Sequence, residues 1–142
     1  MNKKNIQTIR FLNNGCYPGY VMFSCGFSYD EIIKFLKKHN KTGGDLWALG
    51  LQNDKNLINN GKYFALKREF YNKKSNQNRT FYYIILKNSF LFDDFDYIAL
   101  SHECLHICQF FLPDILNRNK EIEAEAYYHS HLMTQCLKVI RE

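Results

Sequence analysis

The chain has 142 residues, 46% of them hydrophobic and 16% aromatic, enough for one compact core and not two, so a single domain over residues 1–142 is expected. Its formal charge of +5 comes from scattered pairs such as Lys37-Lys38, Lys67-Arg68 and Lys73-Lys74, without the basic stripe that nucleic-acid binding needs. No apolar h-region follows Lys3 and Lys4 and no run approaches the roughly 18 apolar residues of a membrane span, so the expectation is a soluble cytoplasmic protein with neither nucleic acid nor membrane as a partner.

The first elements are short. Ile6 to Phe11 and Tyr20 to Ser24 are candidate strands around Asn13-Asn14-Gly15, interrupted by Pro18 and Gly19. Ser28-Tyr-Asp-Glu31 is a capping-box pattern that opens a helix, whose apolar stripe of Ile32, Ile33, Phe35 and Leu36 runs up to His39. Asn40 to Asp45 is its exit loop, and Leu46 to Leu51 is an apolar run too short to assign.

Two better strands follow. In Tyr63 to Tyr71, Phe64, Leu66 and Phe70 alternate with Lys67 and Glu69, so one face meets water; Thr80 to Leu86 is apolar on both faces and reads as buried. The polar run Asn72 to Asn78 reads as a long hairpin loop between them. Trp47, Phe81, Tyr83 and Ile85 are candidate core residues.

The pattern then turns helical. Asp93, Asp94 or Asp96 caps a helix carrying Ile98, Leu105, Cys108 and Leu112, with Pro113 as its end. A second helix, entered between Asp114 and Lys120, runs nearly to the C-terminus with Ile122, Ala126, Met133, Cys136 and Ile140 at helical spacing. The five cysteines (Cys16, Cys25, Cys104, Cys108, Cys136) are odd in number and contain no Cys-x-x-Cys pair, which points to reduced thiols in the core.

The chemistry lies in His102-Glu103-x-x-His106. Positions four apart share a helix face, so two imidazoles can converge on one ion, and the neighbouring Glu103 can take a proton from zinc-bound water whose pKa the metal lowers to roughly 7. A catalytic zinc takes three protein ligands and keeps one open position, which requires a further donor downstream. Three glutamates compete. Glu121 and Glu125 are one turn apart and continue toward Tyr128, Leu132 and Cys136, whereas Glu123 continues toward Tyr127, Ser130, Thr134 and Lys138, a largely polar row that faces water. With a turn at Pro113, an antiparallel return sets Glu121 level with His106. Glu125 then falls level with His102, where it could accept the proton of the ring nitrogen not bound to metal.

At this point the sequence resembles the gluzincin group of zincin metallopeptidases, which pair His-Glu-x-x-His with a ligand in a downstream Glu-x-x-Ala-[Asp/Glu] helix; Glu121-Ile-Glu-Ala-Glu125-Ala-Tyr matches that second pattern. The resemblance covers mainly residues 62–135. It implies one zinc per chain held by His102, His106 and Glu121, general-base work by Glu103, a supporting role for Glu125, and a protein or peptide substrate. It also implies an edge strand that holds an extended peptide, for which Tyr63 to Tyr71 or Thr80 to Leu86 would serve. Tyr128 and His131 are the candidates for stabilising the transition state. The small size resembles compact zincins, phage-encoded ones included, for which host cytoplasm or virion would be the setting.

The expected architecture is an α+β, zincin-like domain: a short antiparallel sheet, an active-site helix and a C-terminal helix. Other readings use the same residues. His102 and His106 could be core-edge histidines bonded to Glu121 and Glu125 without metal, Cys104 or Cys108 could supply a thiolate, and His129 could join Glu125 in a different metal arrangement or simply pack. In the competing functional class the site holds a structural zinc in a noncatalytic binding module of a larger assembly.

Overall fold

The computed structural model describes residues 6–13, 20–39, 43–61, 63–74, 76–115 and 122–142. Strands β1 (Thr8–Asn13), β2 (Tyr20–Cys25), β3 (Tyr63–Asn72) and β4 (Gln77–Leu86) form one sheet in the order β1-β2-β4-β3. The sheet is mixed. β1 with β2 and β3 with β4 are antiparallel pairs, and the parallel pairing of β2 with β4, from Val21↔Tyr82 to Cys25↔Leu86, joins them. With five helices among the described residues the fold is α+β, as expected.

β1 begins two residues later than the sequence implies, and Ile6 forms only an isolated bridge to Phe90. The polar run after Tyr71 is strand at both its ends, at Asn72 and at Gln77 and Asn78, so the loop is shorter than expected. Asn72 pairs with Gln77, Tyr71 with Asn78 and Phe70 with Arg79, which leaves a tight turn between Lys73 and Asn76. Asn76 takes φ 53°, the left-handed conformation that asparagine tolerates, and accepts a hydrogen bond from the Tyr71 hydroxyl.

Helix α1 (Tyr29–Lys38) starts where its sequence says it should. The Ser28 hydroxyl accepts from the Glu31 N–H at 3.4 Å, and the Glu31 carboxylate accepts from the Ser28 N–H at 3.2 Å, closing the capping box. The unassigned apolar run is helix α2 (Gly44–Leu49), entered through Gly43 at φ 87°, so the expected exit loop ends before Asp45. Helix α3 (Lys55–Asn60) has no apolar periodicity to announce it and buries only Ile58. These three helices cover one face of the sheet. There Trp47, Phe81, Tyr83 and Ile85 are buried as expected, and the Tyr83 hydroxyl donates to the Trp47 carbonyl at 2.8 Å.

The other face carries α4 (Asp94–Ile115) and α5 (Ile122–Arg141). Strand alternation turns Val21, Phe23, Cys25, Tyr82, Ile84 and Leu86 toward them. α4 lies against β3 and β4, and α5 packs beside it and reaches β1. Two expectations for α4 fail. Its backbone stays helical past Pro113 to Ile115, so the proline does not end the helix. Its buried side is Leu100, Cys104, Ile107 and Cys108, whereas Ile98 and Leu105 are exposed. Similarly on α5, Leu132, Cys136 and Ile140 are buried but Ala126 is exposed. Cys25, Cys104, Cys108 and Cys136 are free thiols, all buried, and Cys16 lies outside the described residues. No described helix is long and apolar enough to cross a membrane.

Candidate metal centre

Asp93 settles where α4 begins. Its carboxylate accepts from the Asp96 N–H at 2.8 Å, and Asp96 in turn accepts from the Leu91 N–H at 2.6 Å, so acidic groups satisfy donors at the positive end of the helix. Two turns on, His102 and His106 rise from one face. Their Nε2 atoms stand 2.9 Å apart, with ring centroids at 4.5 Å and planes at 86°. His106 Nδ1 lies 3.1 Å from Gln109 Oε1, and Phe110 stacks over the same ring at 6.4 Å.

A His106 ring protonated on Nδ1 donates to this amide oxygen and presents its Nε2 lone pair toward His102. This is the state that a metal-binding imidazole needs, with an outer partner orienting the ring. Two nitrogens each about 2.05 Å from a tetrahedral zinc lie about 3.3 Å apart, so the observed separation fits a shared ion to within a small side-chain adjustment. The pair therefore suits zinc as two of its ligands.

Glu103 sits beside the pair but points inward. It is 5% exposed and is the only buried carboxylate among the described residues. Burial pushes its pKa above the ordinary carboxylate value, and the charges of His102 and His106 pull it back down. Its neighbour Cys104 shares a hydrogen bond with Cys136 and is pushed well above the usual thiol range by that bond and by burial; Cys108 is raised to about 12, mainly by burial. Both thiols lie fully buried in the core cluster between α4, α5 and the sheet, where they pack as small apolar groups.

The helix hairpin positions the remaining candidates unevenly. Glu125 is half-buried on α5, where its charge bears on the Cys108 thiol. Tyr128 packs against the core beneath α4 and α5, while His131 stands on the exposed side, stacked on Tyr127 at 6.3 Å. Glu121 lies outside the described residues, as does the side-chain orientation of Glu123. Among the described residues, no three His, Cys, Asp or Glu side chains gather into a metal-sized group.

Two contacts were not foreseen from sequence. Gln109 is three residues beyond His106 on the same face, a spacing that could have flagged it. His129 reaches back from α5 to Ser101, with Nε2 at 3.0 Å from the carbonyl and 3.3 Å from the hydroxyl, and so ties the two helices together one residue before the motif. This agrees with a packing role for His129. A scan against protein-family models and searches of curated proteins and of solved structures find no match to the chain.

Proposed function

We propose that this chain is a zinc-dependent peptidase acting on a protein or peptide, with His102, His106 and Glu121 holding the metal and Glu103 as general base. The carrying observation is the convergence of two Nε2 atoms at 2.9 Å on one helix face with a buried carboxylate beside them. Zinc bound there supplies Lewis acidity toward water and the substrate carbonyl. The chain's own groups do the rest. Gln109 holds the His106 ring at Nδ1, and Glu125 orients the His102 ring from α5. Glu103, made more basic by burial, takes a proton from the attacking water and delivers it to the leaving amine. One water is thereby added across the C–N bond, and a carboxylate and an amine leave.

Tyr128 and His131 remain the candidates for stabilising charge on the carbonyl oxygen. β4 is paired on both sides, so the strand available to an extended substrate is β3, ten residues long at the sheet edge beside α4. The test is cleavage of an unstructured protein by the zinc-loaded chain, with and without a chelator. Cleavage should stop on chelation and return with added zinc. No cleavage at full zinc occupancy would transfer the site to the competing reading, a noncatalytic module stabilised by zinc.

A further inference from the structure

Glu125, His129, Leu132 and Cys136 follow one another along α5 at steps of four, three and four residues, so they share a face of the helix. The row changes character along its length. Leu132 and Cys136 are buried in the core with Leu100, Cys104 and Cys108 of α4, and Cys136 is hydrogen-bonded to Cys104. Glu125 and His129 are polar and half-buried, and both act on α4 beside the metal pair. His129 Nε2 lies 3.0 Å from the Ser101 carbonyl and 3.3 Å from its hydroxyl. A backbone carbonyl only accepts, so His129 is the donor. Ser101 immediately precedes His102, and the charge of Glu125 bears on Cys108, two residues beyond His106. One turn of α5, about 6 Å from residue 125 to residue 129, therefore stands against the stretch of α4 that carries both imidazoles.

We propose that His129 is a positioning residue of the metal centre: its hydrogen bond to Ser101 sets the place of α5 against His102 and His106, and with it the place from which Glu125 reaches the His102 ring. The inference rests on the zinc reading of the site and adds to it a residue that the metal does not touch. The Ser101 carbonyl lies inside α4, where helix geometry already gives it the Leu105 N–H, so the bond from His129 is an addition rather than a repair. Its effect is to fix one helix against the other. Partners that place metal ligands in this way act on metal affinity by about 10- to 100-fold.

Two substitutions separate the donor from the ring. His129→Phe keeps a ring and loses the donor; His129→Gln loses the ring and sets an amide N–H near the place of Nε2. Zinc affinity is measured by dye competition. The arrangement of ligands is read from the visible absorption of cobalt(II) bound in place of zinc, which responds to the coordination shell rather than to fold stability. His129→Phe should bind zinc about 10- to 100-fold more weakly and shift the cobalt bands while its helical signal is unchanged, and His129→Gln should return both toward wild type. The same loss is expected of His129→Leu, a smaller side chain without a donor. Wild-type affinity and bands in His129→Phe and His129→Leu, or losses in His129→Gln as large as theirs, would overturn the role. Cleavage is not read, so a failure of the peptidase chemistry leaves this result standing. A wild type that binds neither zinc nor cobalt ends the metal reading and this role with it.

Discussion

The Nε2 atoms of His102 and His106 face each other at 2.9 Å, and Gln109 Oε1 lies 3.1 Å from Nδ1 of the second ring. A lone pair held so close to another ring nitrogen is stable when a proton or a cation lies between them. A zinc ion would satisfy both rings at once. The chain should bind about one zinc, and His106→Ala should release it; Gln109→Ala should weaken zinc about 10- to 100-fold while the fold persists. Competition with a metal-sensitive dye measures both. Unchanged affinity in Gln109→Ala would remove the orienting role given to this residue.

The choice of carboxylate is tested in the same way. Glu121→Gln should lower zinc affinity, whereas Glu123→Gln should leave it near the wild-type value, since helical phase puts these two residues on different faces. The reverse pattern would reassign the ligand.

How far the sequence could be read depended on the range of the interactions involved. The Ser28–Glu31 capping box spans three residues and was legible in full. The parallel joint of β2 to β4 links strands about sixty residues apart, and nothing local encodes it. Polarity at Asn72 and Asn78 suggested a loop because an exposed hairpin end needs no apolar side chains to keep its backbone paired. Periodicity misassigned Ile98 and Leu105 because α4 is apolar on its exposed side as well as its buried one, so no phase stands out. The His pair was legible from spacing alone; its tie to Gln109, the inward turn of Glu103 and the His129–Ser101 clamp required the packed helices.

The capping box has a measurable weight. Ser28→Ala should cost about 0.5–2 kcal/mol in urea denaturation, because it leaves the Glu31 N–H without its acceptor. Zinc affinity should not change, since α1 lies on the opposite face of the sheet from α4.

Alkaline pH should expose the buried thiols. Burial raises Cys25 from 9.0 to about 12. Below about pH 9 the thiol is protonated in both states and its contribution is intact; from there to about 12 the unfolded chain loses this proton first, so stability falls as pH rises. Cys25→Ser, which does not titrate there, should lose less stability than wild type on going from about pH 9 to 10, by up to about 1.4 kcal/mol. Parallel losses in the two proteins would contradict the assignment.

The most direct measurement is the rate of peptide hydrolysis by Glu103→Gln against wild type at equal, verified zinc content. The amide keeps the shape of the carboxylate but cannot take a proton. Glu103→Gln should therefore hold zinc and fold normally while hydrolysis drops at least about a hundredfold. Equal rates at equal zinc content would show that Glu103 is not the general base and contradict the peptidase mechanism.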